Sequence, residues 1–240
     1  MPKFFVAKEQ IGKQITILAE DAKHIKTVLR AKQGEQMVVC DGEGTDYICK
    51  ISHMVEKEIL LDIVEKKECQ TEPSTKITLF QGLPKADKMD MIIQKCVEVG
   101  INKIIPVATE RAIVKLEKKE NKKLQRWQKI AEAAAKQSGR GKIPKIENVL
   151  SFQDAIKESK KLCSAVIPYE KETKRGLKEF VKTFSGDTLG IFIGPEGGFS
   201  QEEIQQAQKE GILPITLGKR ILRTETAGIV ATAILLYELE

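Results

Sequence analysis

The chain has 240 residues, 41% of them hydrophobic, and a formal net charge of +6, which is enough apolar material for one large core or two modest ones. No apolar run approaches the ~18 residues of a transmembrane helix, and the N-terminal region contains no signal-peptide hydrophobic segment. Because the five cysteines form no C-x-x-C pair and only two histidines are present, a metal site is not expected. Composition therefore favours a soluble, cytoplasmic protein whose thiols are buried and reduced.

The first ~70 residues are composed of short apolar runs, several of them alternating, separated by turn signals such as Asp41-Gly42-Glu43-Gly44. This pattern of short apolar runs and turns predicts a small β-barrel with one helix over residues 21–31. The predicted strands are residues 4–6, 14–18, 35–40, 47–53 and 58–64. A polar segment at 66–75, which contains Pro73, is interpreted as the linker that ends a first domain at residue 72.

From residue 73 onward, strand and helix patterns alternate, which predicts an α/β domain over 73–240. The predicted strands are residues 77–81, 103–107, 162–168 and 188–193, with one further strand after residue 211. The predicted helices are 87–99, 122–138, 151–161, 173–184, 200–210 and 228–237.

Positive charge is concentrated in one stretch. Residues 115–145 contain 11 Lys/Arg against 3 acidic residues, a local excess of +8 in a chain whose total is +6. A solvated helix face is the usual explanation of such a stretch. However, cations here surround Trp127 and a Ser-Gly-Arg-Gly turn, a combination suited to phosphate contact and to stacking on RNA.

Two glycine-centred turns follow apolar strands near the end of the chain. The first, Gly194-Pro195-Glu196-Gly197-Gly198, is neither a G-x-G-x-x-G nor a Walker loop, so a triphosphate is a poor candidate ligand. The second lies at 217–223. Because open α/β sheets bind ligands at the carboxyl ends of their strands, two such loops side by side would form a pocket through bare backbone groups.

The second turn ends in Arg223-Thr224-Glu225-Thr226, directly before an apolar helix. The hydroxyls and Glu225 fit a helix cap. Arg223 does not fit, because a cation at a helix N-terminus opposes the helix dipole, and it therefore needs a ligand, substrate or carboxylate partner.

Motifs in a fixed order extend over nearly the whole chain. They are Lys3-Phe4-Phe5-Val6, His24-Ile25 with Val28-Leu29-Arg30, Gln81-Gly82-Leu83-Pro84-Lys85, Gln94-Lys95-Cys96-Val97-Glu98-Val99-Gly100, Thr109-Glu110-Arg111, Gln137-Ser138-Gly139-Arg140, Gly194-Pro195-Glu196-Gly197-Gly198-Phe199-Ser200, and Leu217-Gly218 with Ile221-Leu222-Arg223 and Glu225-Thr226-Ala227. Together they resemble the RsmE family of SPOUT methyltransferases, which methylates N3 of a uridine in small-subunit ribosomal RNA. Lys3 departs from the arginine expected there, which keeps the charge and loses the bidentate fork.

The resemblance implies a PUA-like RNA-binding β-barrel at 1–72 and a SPOUT domain at 73–240, whose parallel sheet contains a trefoil knot. It also implies a homodimer, S-adenosylmethionine as cofactor, and 16S ribosomal RNA or the small ribosomal subunit as partner. The implied cofactor-binding residues are Gly194, Pro195, Glu196, Gly197, Gly198, Leu217, Gly218, Ile221, Leu222, Thr226 and Ala227. The candidate RNA-binding residues are Lys3, Arg30, Lys85, Arg111, Arg126, Arg140 and Lys142.

Arg223 and Glu225 are the candidate catalytic residues. Uracil N3 is a neutral imide and must lose a proton, so a base with a pKa near neutrality would help. Glu225 and Glu196 are the carboxylates close to the motifs, and either is also explained as a helix cap or as a partner of Arg223. Two alternative functions stay open: methylation of another RNA such as tRNA, and a non-catalytic role in RNA binding or ribosome assembly.

Overall fold

The computed structural model describes residues 3–112 and 120–240, and the chain divides into two compact units. The first unit comprises Met1–Glu72 with Ala135–Ile143, and the second comprises Pro73–Ala134 with Pro144–Glu240. The division after Glu72 lies at the predicted boundary. The return of Ala135–Ile143 to the first unit departs from the prediction, which assigned that segment to the second domain.

The first unit is built on a five-stranded sheet with the strand order β1-β3-β4-β5-β2. Its strands are β1 (Lys3–Phe5), β2 (Gln14–Leu18), β3 (Gln36–Cys40), β4 (Thr45–Val55) and β5 (Glu58–Glu68). A 3₁₀ turn occupies Lys8–Gln10, and helix α1 spans Ala19–Thr27. All five predicted strands are confirmed, whereas the helix begins before the predicted residue 21 and ends before residue 31. Strand β5 also extends into the predicted linker.

A buried ion pair anchors the returning segment within the first unit. Arg140, which is 4% exposed, donates to Glu72 Oε2 at 2.7 Å, and the Gly141 N–H donates to Glu72 Oε1 at 2.9 Å. Burial raises the pKa of Glu72, but the hydrogen bonds and charge of Arg140 outweigh it and hold that pKa below its ordinary value. The carboxylate therefore stays ionised and holds Ala135–Ile143 to the first unit.

The second unit contains a parallel sheet with the order β12-β10-β11-β6-β7-β8, and β9 also pairs with β7. Its strands are β6 (Lys76–Gly82), β7 (Lys103–Ala108), β8 (Lys145–Ile146), β9 (Leu150–Ser151), β10 (Ser164–Pro168), β11 (Thr188–Ile193) and β12 (Leu213–Ile215). The helices are α2 (Lys88–Val99), α3 (Glu120–Gln137), α4 (Phe152–Ser159), α5 (Leu177–Thr183), α6 (Gln201–Lys209) and α7 (Thr224–Leu239). The predicted α/β class is confirmed.

Two differences from the predicted elements bear on the site. Helix α7 begins at Thr224 rather than at residue 228, because its polar first turn already has helical geometry, so Thr224 and Glu225 are helical residues and not a preceding loop. Helix α5 begins at Leu177, which leaves the residues before it as a loop.

The central strands of the second unit are buried on both faces, as parallel strands between helices are. The rings of Phe80 on β6 and Phe192 on β11 stack with their centroids 4.3 Å apart. Four of the free cysteines are buried, but Cys163 is exposed, which corrects the expectation for that thiol. No helix in the described ranges combines the length and the apolar character that crossing a bilayer requires.

Candidate active site

The two glycine-centred turns lie at the carboxyl edge of the second unit's sheet. We call residues 194–198, which follow β11, the Gly194 loop, and residues 216–223, which follow β12 and lead into α7, the Arg223 loop. Because the pairings of this sheet are parallel, the strand ends that carry both loops face the same edge.

A buried hydrogen-bond relay joins the Gly194 loop to Thr224, the residue that directly follows the Arg223 loop. The Thr224 hydroxyl donates to the Gly194 carbonyl at 2.6 Å, and Gln81 Nε2 donates to the Thr224 Oγ1 at 2.9 Å and to the Gly82 carbonyl at 3.0 Å. Since the hydroxyl proton is committed to Gly194, Thr224 can only accept from Gln81, and this fixes the orientation of the amide. Gln81 is fully buried, and its Oε1 has no hydrogen-bond partner within the described chain. The relay therefore holds the Gly194 loop against the start of α7.

Glycine lets the Gly194 loop approach β6 closely. A Cβ on Gly82 would lie 2.7 Å from Pro195 Cδ and 2.8 Å from Pro195 N. Gly198, at φ 66°, and Gly218, at φ 108°, adopt left-handed backbone, and no atom lies within 4 Å of where their Cβ atoms would be. Each loop thus has open space beside its backbone at one glycine, where a ligand can approach main-chain groups closely.

The Arg223 loop has unused binding capacity. Within the described residues, the backbone N–H groups of Lys219, Arg220 and Ile221 donate no hydrogen bond to the protein. The Ile221 side chain is 89% exposed, which is unusual for so apolar a residue. Free donors next to an exposed aliphatic side chain suit a ligand that has both polar edges and an apolar face.

Arg223 occupies the N-cap position of α7 but does not cap the helix through its side chain. Its backbone carbonyl accepts from the Ala227 N–H at 2.8 Å, as a helix start requires. The side chain is exposed, and in the part of the chain that the structure describes it has neither a carboxylate nor another hydrogen-bond partner. Of the partners considered from the sequence, an internal carboxylate is therefore not found, and a ligand or substrate remains.

Lys88, at the start of α2, ties the two candidate carboxylates together. Its ammonium lies 2.9 Å from Glu196 Oε1 and 3.4 Å from Glu225 Oε2. Hydrogen bonding to Glu196 raises the pKa of Lys88. Burial raises the pKa of Glu196, but hydrogen bonds from Lys88 and from the Lys85 N–H outweigh it and bring that pKa below its ordinary value. Glu196 is consequently a weak base at neutral pH.

Glu225 is less fully engaged than Glu196. Its Oε2 is buried and accepts no well-formed hydrogen bond within the described residues, although the Lys88 ammonium lies within ion-pair distance. Of the two carboxylates, Glu225 therefore has fewer hydrogen bonds from the described chain, since the Lys85 N–H donates to Glu196 only.

Comparison with known proteins identifies the family. An RNA methyltransferase domain model matches residues 71–236, and an RNA methyltransferase PUA domain model matches residues 17–64. Ribosomal RNA small subunit methyltransferase E of Bacillus subtilis is 34% identical over 100% of this chain and 98% of its own length, and that of Aquifex aeolicus is 32% identical over 97% and 98%. The chain belongs to the ribosomal RNA small subunit methyltransferase E family.

A solved structure of this family shows the same fold. The methyltransferase E from Neisseria gonorrhoeae, bound to S-adenosyl methionine, superposes with a TM-score of 0.88 at 30% identity, over 99% of this chain and 97% of that chain. The predicted resemblance to RsmE and the predicted PUA-like first domain are therefore confirmed.

The predicted RNA-binding residues of the chain differ in burial and in partners. Lys3 donates to Asp46 and to the Cys69 thiol inside the first unit, and Arg140 is paired with Glu72. Trp127 is only 5% exposed, so the predicted stacking on RNA is wrong for this side chain. Arg140 is buried and Lys3 is paired inside the first unit with only part of its side chain exposed, and we exclude both from the proposed RNA contacts.

The other predicted RNA-binding cations are exposed. Arg126 forms an ion pair with Asp90, and Arg111 donates to the Gly197 carbonyl at 2.9 Å, which places it at the Gly194 loop. Arg30, Lys85 and Lys142 make no side-chain ion pair within the described ranges. The part of the basic stretch at 115–119 lies outside the described residues.

Two residues of the site were missed by sequence reasoning. Gln81 was recognised only as the first residue of a motif, although an amide that ends an apolar strand signals a buried polar partner. Lys88 could not be recognised as a site residue from the sequence, because its two carboxylate partners lie more than 100 residues away along the chain. Among the described residues, no three His, Cys, Asp or Glu side chains are grouped to share a metal ion.

Proposed function

We propose that this protein transfers a methyl group from S-adenosylmethionine to N3 of a uridine in 16S ribosomal RNA of the small subunit. The observation that carries the proposal is the pair of loops joined by the Thr224 to Gly194 hydrogen bond, with the unpartnered Arg223 beside them. Full-length similarity to curated methyltransferase E proteins supports the reaction class.

The residues present fit the cofactor. S-adenosylmethionine supplies an activated methyl group on a sulfonium, and the protein must hold it in line with the acceptor atom. The open backbone at Gly198 and Gly218, the free N–H groups of the Arg223 loop and the exposed Ile221 are suited to adenine and ribose. Thr226 and Ala227, in the first turn of α7, close the proposed pocket.

The chain's own groups supply the remaining chemistry. We assign Arg223 to stabilise the negative charge that develops on the uracil carbonyl oxygens as N3 loses its proton. Glu225 is assigned to accept that proton, because no backbone N–H in the described chain donates to its carboxylate, whereas the Lys85 N–H donates to Glu196. Lys88 forms ion pairs with both carboxylates, and the shorter of its two contacts is with Glu196.

The wider assembly is proposed on the same basis. A homodimer is supported by apolar side chains left exposed on α7 and on α2, which packs against it: Tyr237 at 85%, Met91 at 51% and Ile234 at 40%. We propose that the C-terminal segment forms the family's trefoil knot, that the RNA site is shared between subunits, and that the protein acts in the cytoplasm, where ribosomal subunits are assembled.

The cofactor assignment has a direct test. Titration calorimetry of the purified protein is expected to show one binding event with S-adenosylmethionine, and one with its demethylated product, in buffer without metal or nucleotide. In the proposed site the loops hold the cofactor through their own backbone groups, so binding requires no bridging metal ion or second nucleotide. Absence of heat for both ligands, with a folded protein by circular dichroism, would contradict the assignment.

A further inference from the structure

A third loop is attached to the Arg223 loop at the same edge of the sheet. We call residues 169–176, between β10 and α5, the Arg175 loop. The Tyr169 N–H donates to the Ile215 carbonyl at 2.9 Å, and the Thr216 N–H donates to the Arg175 carbonyl at 2.8 Å. A β-bridge between Gly176 and Thr216 completes the connection. The two loops are therefore held together by main-chain bonds and present one continuous surface.

That surface is basic, because its exposed cations outnumber its carboxylates. Its members are the exposed residues Lys171, Lys174, Arg175, Lys219 and Arg220. None of these five side chains makes an ion pair within the described chain, whereas cations such as Lys88, Arg126 and Lys160 do. We call this set the two-loop basic surface.

The acidic residues close to these cations are mostly committed to the backbone. Glu172 accepts from the N–H groups of Lys174 at 2.7 Å and of Arg175 at 3.1 Å, and these bonds lower its pKa. Glu179 accepts from the Gly176 N–H at 3.0 Å. Glu170 is the one exposed carboxylate of the Arg175 loop without such a bond in the described structure. The carboxylates thus shape the loop and leave its cations directed to solvent.

We propose that the two-loop basic surface binds phosphates of the RNA substrate and thereby places the target nucleotide at the cofactor loops. Phosphate contacts fix register and orientation, and base contacts then select the nucleotide. Lys219 lies only three residues after Thr216, so its Cα is within about 11 Å of the junction with the Arg175 loop. The same eight-residue Arg223 loop thus carries both Arg223 and part of this surface. The inference rests on the proposed function and adds a substrate site outside the basic stretch at 115–145.

A paired set of variants tests the inference. The test variants are K174Q with R175Q, and K219Q with R220Q, since glutamine keeps much of each side chain and removes its charge. The control is K182Q with K209Q, which removes two exposed cations at the C-terminal ends of α5 and α6. Both control residues precede strands, so they lie toward the opposite edge of the sheet. Binding of a 16S rRNA transcript is measured from low to high salt, and S-adenosylmethionine binding is measured by calorimetry.

Removing one phosphate-binding cation is expected to reduce the slope of log affinity against log salt by roughly 0.7 on single-stranded RNA. K174Q with R175Q should therefore lower the slope by about 0.7 to 1.4 and leave cofactor affinity at the wild-type value. K219Q with R220Q should lower the slope by the same amount, and the control pair should leave both quantities unchanged.

A slope equal to that of the control would overturn the inference. So would loss of cofactor affinity with an unchanged slope, because the cations would then bind the cofactor's carboxylate. If the wild-type protein bound no ribosomal RNA, the proposed function would fail and this inference with it. If the wild-type protein binds ribosomal RNA and the test variants bind it with the same salt slope, only the inference is overturned.

Discussion

Arg223→Ala is expected to lower single-turnover methyl transfer to uridine N3 about 100-fold at saturating RNA and cofactor, as removal of one preorganised donor does. The guanidinium is exposed at the start of α7 and has no partner within the described chain, so its loss removes little from the folded protein. Affinity for S-adenosylmethionine should change much less than the rate.

Arg223→Lys serves as the matched variant, because it keeps the charge and loses the planar fork. An intermediate rate would support a bidentate contact with the uracil oxygens. If Arg223 instead gripped a phosphate, its loss would raise the apparent KM for RNA and spare kcat. A wild-type single-turnover rate at saturation would remove Arg223 from the chemical step.

Gly82→Ala is expected to weaken S-adenosylmethionine binding about 10- to 100-fold, which corresponds to an overpacking cost of about 1–3 kcal/mol. The new methyl group would lie 2.7 Å from Pro195 Cδ and 2.8 Å from Pro195 N. Since these atoms belong to a ring and to the backbone, only movement of the Gly194 loop relieves the overlap.

Gly12→Ala provides the comparison, because its added methyl would meet nothing closer than the Gln14 carbonyl oxygen at 3.6 Å. Calorimetry should give that variant wild-type cofactor affinity. Should Gly82→Ala bind the cofactor as tightly as Gly12→Ala does, the close approach of the Gly194 loop to β6 would have no role in ligand binding.

The parts of the site whose residues lie close together in the sequence could be predicted from it. Each glycine-centred turn follows an apolar strand, so the two loops could be predicted from short segments. The unusual position of Arg223 could be predicted as well, because a cation directly before a helix opposes the helix dipole. The Thr224 to Gly194 bond joins the Gly194 loop to the residue that directly follows the Arg223 loop. The roles of the individual loop residues stay predictions.

Contacts between distant segments could not be predicted from the sequence. The ion pairs of Lys88 and the relay from Gln81 join residues that only the folded sheet brings together. Likewise, charge density alone favoured RNA contact for Arg140, but burial against Glu72 gives it a structural partner. A count of cations cannot separate those that face solvent from those that pair internally.

Some predicted helix and strand boundaries were wrong for a related reason. Strands β8 and β9 have two residues each, which is too short for any periodic pattern, and they exist because β7 offers an edge to pair with. The start of α7 was placed too late because the apolar pattern begins at Gly228, although the helical backbone begins in the polar turn before it.

The central claim is methylation of N3 of a uridine in 16S ribosomal RNA, and mass mapping of ribosomal RNA nucleosides tests it most directly. Small-subunit RNA from cells that lack this protein should contain one uridine without its N3 methyl group, and incubation with purified protein and S-adenosylmethionine should restore the modification at that position. An identical set of N3-methylated uridines with and without the protein would contradict the account.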